Sequence, residues 1–374
     1  LAYTYEGMND YLRYMSQWVD NKGIMHQKAP VSEQPHEWMN LGEWCPPGKF
    51  PPTELVHTFY YWLCTYTTGK SALVLGKTSE ANLLLSKASA IRDAFVKCFY
   101  SPQERTFGKY GANIFALKMG LPDSIRNEVI QTVETDMKEA GGHLDTGIFG
   151  TRYLFEVLAD NGLNELAYNA LNKTTFPGFG FWIQQGASTT WETWTGEYSR
   201  NHPMFGGGLV WLYQKLAGMS PLEAGYRTIL FKPQPVADLD HASYFKKTPY
   251  GKAGIYWKQD GVNFSMQVTV PVGSKAIIYV PTVVSDVKIL KQQAVGPVRF
   301  LNREDGYAIY EAASGQFNFT GTLRPVQKPL ALVPYPGHVE MKKGFCDVSK
   351  GLVTSADGFL AEELYSIAEQ ETGK

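Results

Sequence analysis

Met204-Phe-Gly-Gly-Gly-Leu-Val-Trp-Leu-Tyr-Gln-Lys-Leu-Ala217, then Gly-Met-Ser-Pro221, then Ile229-Leu-Phe231: across this stretch the apolar period changes from helical to two. From residue 5 to about residue 217 the helical period dominates. Tyr5 to Asp20 places Met8, Tyr11, Leu12, Met15, Trp18 and Val19 on one face, and Asn21-Lys22-Gly23 ends the run. Thr53-Glu54 opens a helix to about Leu75, which Gly76 stops, and further helices are predicted at about 79–99, 111–119, 122–139, 146–160, 163–172 and 204–217. Between the first two helices, Val31 to Pro52 is rich in Pro, Gly and Trp and reads as a long loop, a kind of segment that often carries function. Helix after helix joined in this way suggests a helical hairpin array such as an α/α toroid, since a four-helix bundle is too small to use them all.

Beyond Pro221 the runs Ile229–Phe231, Gly254–Trp257, Val262–Val270, Lys275–Val280, Val287–Leu290, Ala308–Tyr310 and Gln316–Phe319 read as strands separated by turn residues. They make an all-β module of about one hundred residues, most simply a sandwich. The expected division is therefore 1–220 helical, 221–323 β-sandwich, and a third segment, 324–374, opening near Arg324-Pro325 and Pro329.

With 374 residues, 44% of them apolar and 19% charged, the chain can bury a sizeable core and is not a disordered polymer. A formal net charge of −1 gives no long-range pull on nucleic acid or acidic lipid. Nine Trp and 22 Tyr raise the aromatic share to 14%, which suits the apolar faces of sugars but equally the core of any large domain. Cys45, Cys64, Cys98 and Cys346 are widely spaced, so neither a disulfide framework nor a structural metal site is expected. No apolar run is long enough to span a membrane. Starting at Leu1 inside a helix, the chain reads as a piece of something longer, and a periplasmic or secreted parent is favoured.

The densest constellation is Gly178-Phe-Gly-Phe-Trp-Ile-Gln-Gln-Gly-Ala-Ser-Thr-Thr-Trp-Glu-Thr-Trp194. Glu192, between Trp191 and Trp194 and with no Lys or Arg before Arg200, would be partly desolvated. That environment raises its basicity, as a general base near neutral pH requires, and the tryptophans, Trp182 included, offer a sugar a stacking surface. A surface Glu beside buried tryptophans fits the same spacing. His202, at the start of the 204–217 helix, would point into the same end of the array and contact a substrate hydroxyl, or simply cap the helix. In Gly142-His143-Leu-Asp-Thr-Gly147, Asp145 reads as an N-cap and His143 as a pocket-lining residue. Glu43 and Trp44, in the long loop, are further pocket candidates. Phosphate-binding, dinucleotide, serine-hydrolase and H-E-x-x-H motifs are absent.

Several runs together resemble the bacterial α-L-rhamnosidases of glycoside hydrolase family 78: His143-Leu-Asp-Thr-Gly-Ile-Phe-Gly-Thr151, Asp160-Asn-Gly162, Leu166-Ala-Tyr168, Phe176-Pro177, Gly186-Ala-Ser-Thr-Thr-Trp-Glu-Thr-Trp194 and Asn201-His202. Pro249-Tyr-Gly251, Trp257 and Val270-Pro271 extend the likeness, which covers about residues 1–320. It implies an α+β multidomain protein in which part of an (α/α)6 barrel, an all-α toroid, precedes an antiparallel β-sandwich. It also implies an inverting hydrolase that removes terminal α-L-rhamnose from glycosides or polysaccharides without a cofactor or metal. By the resemblance Glu192 corresponds to the general base and His202 to a histidine that contacts rhamnose. Gly42-Glu43-Trp44 is similar to a Gly-Asp-Trp segment of the family, Glu43 departing by one methylene. The family's general acid lies in an Asp- and Arg-rich upstream segment that this chain lacks. An inverting enzyme needs two carboxyl groups roughly 6.5–9.5 Å apart. Three explanations follow, in order of preference: the acid precedes Leu1, Glu43 has taken its role, or the fragment is inactive.

The tail, Leu332-Val-Pro-Tyr-Pro336 with Gly344 and Lys350-Gly-Leu-Val, is loosely similar to the start of the domain that precedes a family 20 hexosaminidase barrel. The expected partner is thus a carbohydrate, with no nucleic acid and no membrane, and the oligomeric state stays open. The rival readings are another exo-glycosidase or a lyase on an α/α toroid, the latter wanting a Tyr/His or Arg cluster, and a non-catalytic sugar-binding module.

Overall fold

The inner and outer helices of the array differ in how much of their circumference is apolar. A computed structural model of the chain describes residues 1–26, 42–109, 111–284, 287–294 and 297–324, with 288–294 as strand path alone. All of these belong to one compact unit. Among them the α-helices are α1 (Ala2–Ser16), α2 (Thr53–Val74), α3 (Thr78–Phe99), α4 (Ala112–Met119), α5 (Asp123–Glu139), α6 (Ile148–Asp160), α7 (Asn164–Leu171) and α8 (Phe179–Gln184). On α2, residues on every side are buried, Leu55, Val56, Phe59, Tyr61, Trp62, Thr65 and Ala72 among them. Its hairpin partner α3 buries only Ala81, Ala88, Ile91 and Phe95, and α5 only the stripe Val129, Val133, Met137. A helix apolar all round has neighbours on both sides, whereas a single stripe marks a helix with one face in water. Accordingly α4 packs between α2 and α6, and α6 packs against both α7 and the segment after residue 204. This is an inner row backed by an outer one, the arrangement of an α/α toroid.

The inner row ends differently from expectation. Residues 204–217 are not one α-helix: Met204–Leu209 is a 3₁₀ helix and Leu212–Leu216 a π turn. The segment approaches α6 closely, and a Cβ at Gly208 would stand 2.6 Å from the Thr151 carbonyl oxygen. The short α8 falls inside the Gly178–Trp194 constellation, where no helix was expected. Of the expected long loop, residues 31–41 lie outside the described residues, as does the tail from 325 onward.

Strands begin two residues after the π turn: β1 (Met219–Pro221), β2 (Thr228–Phe231), β3 (His241–Thr248), β4 (Gly251–Asp260), β5 (Asn263–Val270), β6 (Lys275–Pro281), β7 (Lys288–Ala294), β8 (Val298–Glu304), β9 (Tyr307–Ala312) and β10 (Gly315–Thr322). Gly218 makes the corner with φ +88°, and a Cβ there would fall 2.3 Å from Pro233 Cα. Two five-stranded sheets, β1-β2-β6-β9-β8 and β3-β4-β5-β10-β7, form the sandwich, with every pairing antiparallel except the parallel β2–β6. Ile229, Phe231, Ile278 and Val280 of one sheet share a core with Trp257, Met266, Val268 and Phe317 of the other. The strands that sequence periodicity missed, β1, β3 and β8, are sheet edges: β1 has only three residues, and the side chains of β3 and β8 are mostly exposed, so no apolar alternation marks them.

Candidate functional site

Glu43 is the most constrained carboxylate near the site. It is 1% exposed, and its Oε1 accepts N–H groups from Trp44 (2.9 Å) and Phe149 (2.8 Å) while Oε2 accepts that of Gly150 (2.7 Å). The Ile148 N–H donates in turn to the Trp44 carbonyl at 2.8 Å. The Ile148, Phe149 and Gly150 N–H groups are first-turn donors of α6, which have no partner within the helix and whose dipole favours an anion. Burial pushes the Glu43 carboxyl up to about 7 against the pull of these N–H groups. Glu43 is thus a remote helix cap with both oxygens engaged, in contrast to the open pocket position expected of it. The helix takes a capping acceptor from Glu43, Gly147 being the N-cap residue with no side-chain bond.

The tryptophans are corrected as well. Trp182, Trp191 and Trp194 are 2%, 5% and 2% exposed. The rings of Trp182 and Trp194 stack on each other at 4.5 Å, and Trp182 Nε1 donates to the Trp194 carbonyl at 2.9 Å. Phe179 and Phe205 complete the cluster. Because α8 sets Phe179 and Trp182 one turn apart on its inward face, burial of large aromatic area fixes them in the core rather than on an open stacking surface. His143 is held by both ring nitrogens. Its Nδ1 lies 2.9 Å from the Pro177 carbonyl and its Nε2 3.0 Å from the Thr175 hydroxyl. Donating from Nδ1 and accepting at Nε2, the ring pins the 175–177 turn.

Glu192 and His202 are brought together. Residues 190–202 fold back as a ladder: the Glu192 N–H donates to Ser199 O (2.8 Å), the His202 N–H to Thr190 O (2.9 Å) and the Thr190 hydroxyl to His202 O (2.6 Å). The half-buried Glu192 carboxylate accepts the Ser199 N–H at Oε2 (3.2 Å), and no donor among the described residues reaches Oε1. His202 Nδ1 is buried and meets no partner among the described residues. Cys45, with φ +51°, lies within the field of both carboxylates: burial first, then Glu192 and Glu43, push its thiol up to about 11.

Three residues outside the sequence-based set share this end of the array. Tyr60 donates its hydroxyl to Tyr153, and burial first, then Tyr153 and Glu43, push the Tyr60 hydroxyl up, with Arg152 acting the other way. Arg152 is exposed, its guanidinium 5.5 Å from the Tyr153 ring centre. Its stem runs over Gly207, where a Cβ would come 2.7 Å from its Cδ. Half-buried Trp44 stands beside Glu43 in the same loop. Only knowledge of which α6 face turns inward would have found Arg152 from sequence. No three His, Cys, Asp or Glu among the described residues converge as a metal site. The concavities of about 490 Å³ at the β4–β5 turn and about 510 Å³ between α5 and α7 contain none of these residues.

Residues 1–216 match the bacterial alpha-L-rhamnosidase 6 hairpin glycosidase domain, and residues 218–294 match the bacterial alpha-L-rhamnosidase C-terminal domain. An alpha-L-rhamnosidase of Streptomyces avermitilis is 29% identical over 292 residues, 75% of this chain and 28% of the relative. One of Formosa agariphila is 28% identical over 285 residues, 70% of this chain and 30% of the relative. Among solved structures, the alpha-L-rhamnosidase from Dictyoglumus thermophilum superposes with a TM-score of 0.74 at 30% identity, covering 87% of this chain and 37% of that one. The Streptomyces avermitilis enzyme complexed with L-rhamnose gives 0.75 at 26% identity, covering 85% and 30%. The chain thus spans about 30% of the length of the curated relatives it matches. With the hairpin-domain match alone taking in more than half of its residues, the chain belongs to the bacterial α-L-rhamnosidase family.

Proposed function

We propose that this chain is the general-base part of an inverting glycosidase that removes terminal α-L-rhamnose from glycosides or polysaccharides, its proton donor lying outside residues 1–374. The observation that carries the reading is the contrast between two carboxylates. Glu43 has both oxygens engaged by backbone N–H groups, while Glu192 is half-buried, oriented by one N–H, and has an oxygen that no donor among the described residues reaches, which would take a proton from water. Removal of that proton as water attacks the anomeric carbon from the face opposite the leaving group is what inverts the centre. His202, laddered to the same loop, would contact a rhamnose hydroxyl, and its buried ring nitrogen, without a partner among the described residues, supports a site that is completed only with something bound beside it. Family membership and the L-rhamnose complex of the Streptomyces avermitilis enzyme support the sugar. Since Glu43 is engaged as a cap, the acid belongs to a preceding segment.

The test is release of p-nitrophenol from p-nitrophenyl α-L-rhamnoside, with L-rhamnose binding followed by calorimetry in parallel. Binding without turnover by residues 1–374 is expected, and a parent protein carrying the acid should release the β-anomer first by NMR. Absence of rhamnose binding overturns the reading, and release of the α-anomer overturns inversion.

A further inference from the structure

The backbone of Trp44 is gripped on both sides. Its N–H donates to Glu43 Oε1 at 2.9 Å, and its carbonyl accepts the Ile148 N–H at 2.8 Å. The same Glu43 carboxylate takes the Phe149 and Gly150 N–H groups at 2.8 and 2.7 Å, so one side chain ties the segment to the first turn of α6. The joint is close enough to demand glycine on the helix side. A Cβ at residue 147 would stand 2.2 Å from the Trp44 carbonyl oxygen, and one at residue 150 would stand 2.9 Å from Glu43 Oε2. A helix that needs only a cap can take it from a short polar side chain at its own N-cap. Here the acceptor comes from a distant segment, and the bonds that cap the helix fix that segment equally.

The held segment adjoins Glu192. Burial, then the charge of Glu192, then that of Glu43 push up the Cys45 thiol, which places Cys45 within the field of the Glu192 carboxylate. Cys45 has φ +51°, a left-handed conformation that a residue with a Cβ keeps only where its surroundings impose it. Half-buried Trp44 packs against the core that includes Ile148 and the two tryptophans flanking Glu192 in sequence, Trp191 and Trp194.

Resting on the proposed rhamnose-removing site, we infer that Glu43 is a positioning residue: its carboxylate, clasping the first turn of α6, holds Trp44 and Cys45 as a preformed wall of the sugar site beside the Glu192 loop. Glu43 touches no substrate and takes no part in the proton transfers. Its effect is on affinity, because a wall already in place need not be ordered when the sugar binds.

The test uses the 374-residue chain and two readouts: calorimetric affinity for L-rhamnose, and the rate at which iodoacetamide alkylates each cysteine, resolved by peptide mass mapping. In Glu43→Gln, whose amide NH2 meets the same N–H donors, L-rhamnose should bind about five- to tenfold more weakly and Cys45 should alkylate about tenfold faster. Half-buried Cys64 on α2 should keep its rate, since it reports the general loosening that a merely structural role would produce. The lost charge by itself eases ionisation of the Cys45 thiol, so Gly147→Ala supplies a second arm. It wedges the joint apart with the carboxylate intact and should move both readouts the same way. Glu43→Asp, which keeps the carboxylate, should recover part of the affinity. Circular dichroism checks the fold of each variant. Among folded variants, rhamnose affinity within about twofold of the unaltered chain in Glu43→Gln overturns the inference. Cys45 and Cys64 accelerating together, or faster alkylation of Cys45 in Glu43→Gln but not in Gly147→Ala, does the same. In each of these cases rhamnose binding by the unaltered chain leaves the functional reading intact. No rhamnose binding by the unaltered chain overturns the functional reading, and the inference with it.

Discussion

The carboxylate of Glu43 accepts the backbone N–H of Gly150 at 2.7 Å across 107 positions of sequence, and so fastens the loop before α2 to the first turn of α6. Through that bond the Trp44-Cys45 loop and the Glu192 loop face one another at the same end of the helical array.

A buried carboxyl whose value is raised in the folded state, from 4.5 to about 7, binds its proton more tightly folded than unfolded. Its contribution to stability is fully present below the unfolded value and is lost as pH rises through the folded one. Between pH 5 and pH 8 the unfolding free energy should therefore fall by up to about 3 kcal/mol through this group. Glu43→Gln should flatten that part of the profile, read by urea unfolding at several pH values. An unchanged slope in the variant would show that Glu43 does not titrate in this window.

Replacing the free carboxylate tests the chemistry. In a parent protein carrying the acid, Glu192→Gln should lower kcat by about 10²–10⁴-fold while leaving rhamnose affinity within a few-fold. Unchanged turnover would remove Glu192 from the mechanism.

The aromatic cluster should behave as core. Trp182→Ala is expected to cost about 3–5 kcal/mol of stability, whereas Trp182→Phe should cost only about 1–2 kcal/mol, through the lost bond to the Trp194 carbonyl, and keep rhamnose binding. A stable Trp182→Ala protein that has lost only sugar affinity would restore the ring to the pocket.

At the corner between helices and strands, Gly218→Ala would force a Cβ onto a left-handed residue 2.3 Å from Pro233 Cα. Thermal unfolding should register a loss of roughly 2–5 kcal/mol. A change of less than about 0.5 kcal/mol would mean that the corner relaxes freely.

Much of this was legible beforehand because it depends on local period. The helices from Thr53 to Leu171 were predicted within a few residues of where they lie, since apolar spacing and Gly or Pro stops act over one or two turns. Glu192 and His202 were legible as a pair because only the short 190–202 ladder separates them. The misreadings share a cause. Glu43, His143 and the tryptophans were assigned to a pocket by residue type, but whether a Glu faces substrate or a remote helix terminus depends on what packs against it.

The sequence by itself determined the two-part architecture, the helix-to-strand change after Ala217, and the loop that bears Glu192, because periodicity and turn chemistry are properties of neighbours along the chain. Only the tertiary structure decided that Glu43 is engaged as a helix cap while one oxygen of Glu192 meets no donor among the described residues. Burial and hydrogen-bond satisfaction are set by contacts between residues far apart in sequence, and at Glu43 backbone N–H groups more than one hundred positions away made that choice.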